Sequence, residues 1–189
     1  MTHGHGSVRE KPEILMTAMN KHNLDRLVAD NCLKLFADYK LEIHAGKPEK
    51  TLSAEQFLLC GIMGFTSRQM RGALVLATTR EPLERTNPAA VNPSHRDWIC
   101  ELANQLLGRV KNQMLSRGVE IFASTPIALR GEHLSPILQQ RLVAELFTAD
   151  GGVVCVWMDC EFDEGFELPE SGVFEAVPVS VPEGETVLF

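Results

Sequence analysis

Apolar residues recur with helical spacing in the middle of the chain, from Ser94 to Leu115. At about 100° per residue, one broad face of this segment carries Ile99, Leu102, Ala103, Leu106, Leu107, Val110 and Met114. The opposite face carries Asp97, Glu101, Asn104, Gln105, Gly108 and Asn112. Ser94 is a suitable N-cap after Pro93, and Asp97 follows it at the spacing of a capping box. The pattern predicts an amphipathic helix that packs on a core and leaves Glu101 and Asn104 in solvent.

Strand patterns lie on both sides of this helix. They predict a hairpin over Gln56–Thr79, a short strand over Val119–Ala123, and a second hairpin made of Gln140–Phe147 and Val153–Asp159. Another amphipathic helix is predicted over Asn23–Tyr39. The order of helix, hairpin, helix and antiparallel strands predicts an α+β fold, with helices packed on a mainly antiparallel β-sheet.

Details of the hairpin and its surroundings refine this prediction. The first hairpin is expected to have strands over Phe57–Met63 and Gly72–Thr78. Its glycines, Gly61, Gly64 and Gly72, predict bulges or close backbone contacts. Pro12 is a candidate for the first turn of a helix. A short helix is expected near Leu83.

Composition and charge divide the chain into a domain and a tail. Of 189 residues, 44% are hydrophobic and 23% charged, which is ordinary for a globular domain. The chain has 25 acidic and 18 basic residues, and eight of the acidic ones lie after residue 160, where Lys and Arg are absent. We therefore expect a single domain over residues 1–160, with a frayed segment over 1–11, and an acidic C-terminal tail over 161–189.

Several functional classes are disfavoured by the sequence. The chain has no apolar run long enough to span a bilayer, and its N-terminus does not resemble a signal peptide. It has no basic stripe, which argues against nucleic acid as a partner. Its five cysteines show no CxxC spacing and are expected to be reduced. We expect a cytoplasmic protein that binds neither membrane nor nucleic acid.

The outward pair Glu101 and Asn104 is the best candidate for chemistry, although an ordinary solvated helix face is the alternative. A carboxamide cannot act as a general base near neutrality, but it donates and accepts hydrogen bonds and can orient a water molecule. Phosphoryl transfer depends mainly on such positioning and on charge stabilisation. Glu101 can pair with a cation on a partner. Gly108, a poor helix former, would allow a partner to approach closely, unless it packs against a neighbouring loop.

These residues resemble the CheC/CheX family of chemotaxis phosphatases. The family signature is Asp or Ser, three residues, Glu, two residues and Asn, and this chain reads Asp97-Trp-Ile-Cys-Glu101-Leu-Ala-Asn104, with Gly108 four residues later. The upstream segment GIMGFTSRQMRGALVL is similar to the family's hairpin, with Ser67 where glycine is more usual. One copy of the signature is visible, as in CheX, whereas CheC proteins generally carry two.

The resemblance implies a CheX-like phosphatase that dephosphorylates the aspartyl phosphate of a CheY-like response regulator. In this interpretation Asn104 orients the attacking water and Glu101 pairs with a lysine of the regulator. The regulator holds the Mg²⁺, so no cofactor or metal is expected on this chain. Asp97, Gln105 and Gly108 are expected to contact the partner, Asp97 in a mainly structural role. The resemblance also implies a homodimer.

Two other functions remain open from the sequence. The main alternative is a non-catalytic module that binds a response regulator or a flagellar-switch component. A small-molecule enzyme is less favoured, because no Ser/His/Asp or Cys/His arrangement can be placed from the sequence.

Overall fold

The computed structural model describes residues 12–45, 57–89, 92–132, 134, 145–149 and 152–169. These ranges contain the helices α1 (Pro12–Asp38), α2 (Arg80–Thr86) and α3 (His95–Leu115). They also contain the strands β1 (His44–Ala45), β2 (Leu58–Thr66), β3 (Met70–Thr78), β4 (Phe122–Ala123), β5 (Ile127–Gly131), β6 (Glu145–Ala149) and β7 (Gly152–Phe162).

The strands form one antiparallel sheet in the order β1-β6-β7-β3-β2-β4. β5 also pairs with β2, so β4 and β5 follow one another along the same edge of that strand. Helices α1 and α3 pack on this sheet, which confirms the predicted α+β fold class.

The β2–β3 hairpin is longer and more regular than its glycines indicated. The pairing is unbroken from Leu59 opposite Thr78 to Thr66 opposite Arg71, so the predicted bulges are absent from this hairpin. The turn is tight because the Ser67 hydroxyl accepts hydrogen bonds from the backbone N–H groups of Gln69 and Met70.

The second hairpin is confirmed, with different bounds. β7 begins at Gly152 and runs to Phe162, three residues beyond the predicted end at Asp159. β6 runs from Glu145 to Ala149, and the predicted strand residues 140–144 lie outside the described residues. Of the strand predicted over Val119–Ala123, only the last two residues pair with β2, and Val119 is buried instead.

Helix α1 begins at Pro12 and is longer than the helix predicted from Asn23. It ends in a Schellman motif: the N–H of Lys40, which has a left-handed φ of 60°, donates to the carbonyl of Ala37, and the N–H of Leu41 donates to Phe36. Phe36 and Leu41 are both buried, which provides the apolar contact of this motif. Tyr39 lies in the resulting turn, beside α3.

The main core lies between the sheet and its helices. Ile99, Ala103 and Leu106 of α3 are completely buried in it, together with Leu35 and Phe36 of α1. A smaller cluster on the opposite face of the sheet contains Leu58, Cys60, Ala77, Cys155 and Trp157. The alternation of side chains along the strands separates these two clusters.

Gly61 on β2 sets how closely α3 approaches the sheet. A Cβ atom at this position would lie 2.6 Å from the carbonyl oxygen of Ile99 and 2.8 Å from the Cβ of Ala103. The close contact predicted for this glycine is therefore confirmed. Because the helix backbone itself touches the strand, one side of α3 is fixed against the sheet and the other is directed to solvent.

Residues 161–169 belong to the packed structure. Leu168 is buried, and buried Asn20 binds this segment through both groups of its side-chain amide: it donates to the carbonyl of Phe166 and accepts from the N–H of Leu168. The guanidinium of Arg117 donates to the carbonyl of Pro169. These contacts carry the folded part past residue 160, where the sequence analysis placed the start of the tail.

The contact between Gly61 and α3 predicts a loss of stability in the variant Gly61→Ala. The added methyl group meets a backbone carbonyl that can move only with the whole helix, so the free energy of unfolding should fall by about 1–3 kcal/mol. Urea denaturation followed by circular dichroism measures this change.

Gly64→Ala on the same strand is the matched control. A Cβ there lies 3.4 Å from the Ser124 hydroxyl, an ordinary contact, so the stability should change much less. Equal losses in the two variants would show that the packing of α3 does not depend on Gly61.

Candidate functional site

The start of α3 is fixed by a side-chain cap. The Ser94 hydroxyl accepts a hydrogen bond from the N–H of Asp97 (3.2 Å) and donates one to the Asp97 carboxylate (2.6 Å). The N-cap predicted at Ser94 is confirmed. The carboxylate of Asp97 also lies in the first turn, where the helix dipole favours negative charge. One of its oxygens is therefore already engaged within the helix.

The two faces of α3 match the predicted pattern. All seven residues assigned to the apolar face are buried: Ile99, Leu102, Ala103, Leu106, Leu107, Val110 and Met114. Trp98 is buried as well, and its indole N–H donates to the hydroxyl of Thr86 on α2 (3.0 Å). Glu101 and Asn104 are exposed, as are Asp97 and Asn112, while Gln105 and Gly108 are partly buried.

The polar face of α3 forms an exposed stripe of Asp97, Glu101, Asn104, Gln105, Gly108 and Asn112. Asn104 lies at its centre. Side chains three residues apart in a helix are neighbours, with Cβ atoms about 5–6 Å apart, so Asn104 and Glu101 point in similar directions. The Asn104 carboxamide has no hydrogen-bond partner among the residues that the structure describes. Its donor and acceptor groups are therefore both free to bind water or a partner.

Glu101 is held by its own helix. The side-chain N–H of Gln105 donates to one carboxylate oxygen of Glu101 at 2.8 Å, and the hydroxyl of Tyr39 donates to the amide oxygen of Gln105 at 2.9 Å. Tyr39 was not predicted as a site residue. It lies at the end of the predicted first helix, but helical periodicity carries no information about which residue of another helix it meets.

Gly108 marks open space on the stripe. A Cβ atom at this position would find no described atom within 4 Å, so the alternative of packing against a neighbouring loop has no support in the described part of the chain. The residue after Gly108, Arg109, forms an ion pair with Asp38 at the end of α1. No described atom therefore blocks the approach of a partner to the helix backbone at Gly108, beside the ion pair of Arg109 and Asp38.

The described residues around Glu101 supply neither an activated thiol nor a cluster of metal-ligating side chains. Burial raises the pKa of Cys100, the cysteine next to Glu101, which keeps the thiol protonated and poorly nucleophilic near neutrality. Among the described residues, no group of three or more His, Cys, Asp or Glu side chains is placed to hold a metal ion. The chemistry that this stripe can offer is hydrogen bonding by a carboxamide and charge pairing by a carboxylate.

Comparison with solved structures establishes the fold. The chain is similar to the chemotaxis protein CheX of Vibrio vulnificus (TM-score 0.63, 15% identity, 75% of this chain and 98% of that one). It is also similar to a CheC-like chemotactic protein of Shewanella oneidensis (TM-score 0.58, 20% identity, 74% and 98%). A third match is the structure of a CheX–CheY–BeF₃–Mg²⁺ complex from Borrelia burgdorferi (TM-score 0.52, 13% identity, 73% and 97%).

These similarities confirm the predicted resemblance at the level of the fold. No family model matches the chain, and no curated protein matches it in sequence. No helix among the described residues is long and apolar enough to cross a membrane.

The open space at Gly108 predicts that Gly108→Ala stabilises the protein. Alanine is favoured over glycine in a helix interior by about 1 kcal/mol, and no described atom opposes the added methyl group. The midpoint of urea denaturation should therefore rise. Gly61→Ala, measured in parallel, should lower the midpoint. A loss of stability in Gly108→Ala would contradict the absence of a steric obstacle at this position.

Proposed function

We propose that this protein is a phosphatase that dephosphorylates the aspartyl phosphate of a CheY-like response regulator, with Asn104 as its catalytic residue. The observation that carries the proposal is the exposed carboxamide of Asn104, without an intramolecular partner among the described residues, on a helix that is capped and packed on the sheet. The signature that contains it and the CheX-like fold support the same conclusion. The solved CheX–CheY complex with this fold supports a CheY-like protein as the partner.

The proposed reaction is hydrolysis with the water held by Asn104. The carboxamide oxygen accepts a hydrogen bond from the water, which directs the water oxygen toward the phosphorus of the aspartyl phosphate. A new P–O bond forms as the bond between phosphorus and the aspartyl oxygen breaks. The products are inorganic phosphate, which carries the protons of the water, and the free aspartate of the regulator. Asn104 is not consumed and needs no change in protonation.

Glu101 is proposed to anchor the partner. Its carboxylate is exposed three residues before Asn104, and one of its oxygens has no partner among the described residues. Pairing of this oxygen with a lysine of the regulator would fix the register of docking and thereby place Asn104 at the phosphate. The Mg²⁺ of the reaction is proposed to be bound by the regulator. The protein is accordingly proposed to act in the cytoplasm, in chemotaxis or another two-component pathway.

Phosphate release from a phosphorylated regulator tests the proposal. The CheY-like regulators of the same organism, phosphorylated with acetyl phosphate and Mg²⁺, should lose phosphate faster when the wild-type protein is added. Asn104→Ala should reduce this acceleration by at least about 100-fold, the scale seen when one positioned polar group is removed from a catalytic site. Binding of the regulator, measured by fluorescence anisotropy, should persist.

Asn112→Ala is the matched control, because Asn112 is an exposed asparagine two turns further along the same helix. It should retain full activity. Full activity in Asn104→Ala would contradict the catalytic role. Binding without any phosphate release, unaffected by substitutions at Glu101 and Asn104, would instead support the non-catalytic binding module.

A homodimer is proposed at the sheet, on the side opposite the candidate site. Three large apolar side chains are exposed at β4 and β5: Phe122 (56%), Ile127 (62%) and Leu129 (49%). Ile127 and Leu129 pair with Ile62 and Cys60 of β2, so they extend the apolar face that carries the smaller core cluster. An exposed edge strand with apolar side chains is a site at which chains associate. Association there leaves α3 free to meet the regulator.

Sedimentation equilibrium tests the dimer. The wild-type protein should sediment as a dimer, and the double substitution of Ile127 and Leu129 by glutamate should convert it to a monomer, because the new charges on β5 of each protomer would be buried in the interface. Leu115→Glu, at an exposed leucine of α3, is the control and should remain a dimer. A wild-type monomer at all concentrations would contradict this part of the proposal.

A further inference from the structure

A chain of side-chain contacts connects the buried interior of the protein to Glu101. Its first links are buried: Thr86 donates to the carbonyl of Pro82 (3.0 Å) and accepts from the indole of Trp98 (3.0 Å). The ring of Tyr39 packs edge-on against the ring of Trp98, with centroids 5.2 Å apart and planes at 89°. The hydroxyl of Tyr39 then extends toward Gln105 at the surface.

The Glu101 carboxylate determines the direction of the outer hydrogen bonds. An ionised carboxylate can only accept, so the amide of Gln105 must present its NH₂ group to Glu101. The amide oxygen of Gln105 then faces Tyr39, and the Tyr39 hydroxyl must donate to it. Only one arrangement of donor and acceptor atoms therefore satisfies Glu101, Gln105 and Tyr39 together. The orientation of the Gln105 amide is therefore coupled to both ends of the chain.

Two structural features hold Tyr39 in place. The Schellman motif at the end of α1 fixes the backbone on either side of it. The edge-on contact with Trp98, which is 5% exposed, fixes its ring. Tyr39 is the single tyrosine of the chain. A phenol at this position can reach Gln105 without giving up the packing of its ring.

We propose that Tyr39 and Gln105 are positioning residues that hold the Glu101 carboxylate ready to bind a cationic side chain of the protein partner. The proposal rests on the proposed function, because it assigns Glu101 to docking. Gln105 occupies one carboxylate oxygen and leaves the other without a partner among the described residues. A side chain ordered before binding loses less conformational freedom when the complex forms, so the affinity of the docked partner increases. Gln105, placed by the sequence among the partner-contacting residues, acts in this proposal through Glu101.

Tyr39→Phe tests the proposal with the smallest change, since it removes the hydroxyl and keeps the ring. With the regulator whose dephosphorylation is fastest, phosphorylated by acetyl phosphate, the KM should rise about 3- to 10-fold, the effect of one lost hydrogen bond. The kcat should stay within about twofold of wild type, because Asn104 is not part of the chain of contacts. Gln105→Met, which lacks both polar groups, should show the same split between KM and kcat.

A double-mutant cycle separates positioning from a general structural effect. In the Glu101→Ala background, Tyr39→Phe should cause no further rise in KM, because the carboxylate that it positions is absent. A rise of equal size in both backgrounds would show that Tyr39 acts on the fold alone, and would overturn the proposal. An unchanged KM in Tyr39→Phe with Glu101 present would also overturn it.

Side-chain NMR of the free protein tests the same network without a regulator. The ¹⁵N relaxation of the Gln105 amide should show a rigid group, and Tyr39→Phe should make it more mobile. The amide of Asn112, exposed on the same helix without a side-chain partner among the described residues, gives the reference for a free group. Equal mobility of Gln105 and Asn112 in the wild type would overturn positioning. Failure of the proposed function has a different sign: in the kinetic experiments, no regulator would release phosphate faster when the wild-type protein is added.

Discussion

The structure depends on the contact between β2 and α3 at Gly61. Because this residue has no side chain, the carbonyl of Ile99 and the methyl group of Ala103 lie against the backbone of the strand. A helix this close to a sheet cannot rotate without driving a larger side chain into the strand. The rotation of α3 about its own axis is therefore set by the contact of Ile99 and Ala103 with Gly61. Asn104, the neighbour of Ala103, is placed on the outer side as a consequence.

The elements predicted correctly are those specified by local sequence. The two faces of α3 and the cap at Ser94 arise from periodicity and from neighbours within one turn, and the β2–β3 hairpin arises from two strands joined by a short turn. The order of the strands could not be predicted, because pairing of β3 with β7 joins residues far apart in the chain and leaves no local pattern. The averaged composition of 161–189 also gave no sign that Leu168 is buried, with its backbone N–H donating to a residue far away in the chain, Asn20.

The candidate site was predictable in its residues and only partly in its organisation. Periodicity assigns a residue to a face of its helix, and it placed Glu101, Asn104 and Gln105 on the outward face. It cannot show that the end of another helix covers part of that face. Tyr39 does so, which is why Gln105 is half-buried and hydrogen-bonded while Asn104 is exposed. The sequence signal for such a contact is absent, because both residues are ordinary at their own positions.

The polar residues of α3 differ in how far the fold already uses them, and this difference is informative about function. Asp97 is engaged by the helix cap, Glu101 has one oxygen bound and one free, and Asn104 is free among the described residues. A docking anchor gains from being ordered in advance, whereas a carboxamide that enters another protein's active site needs both of its polar groups available there. Gly108, where a Cβ would meet no described atom within 4 Å, removes the side chain that would obstruct such an approach. Together, a carboxylate held by its own helix, a carboxamide without a partner among the described residues and a glycine within two turns favour the docking interpretation over an ordinary solvated helix face.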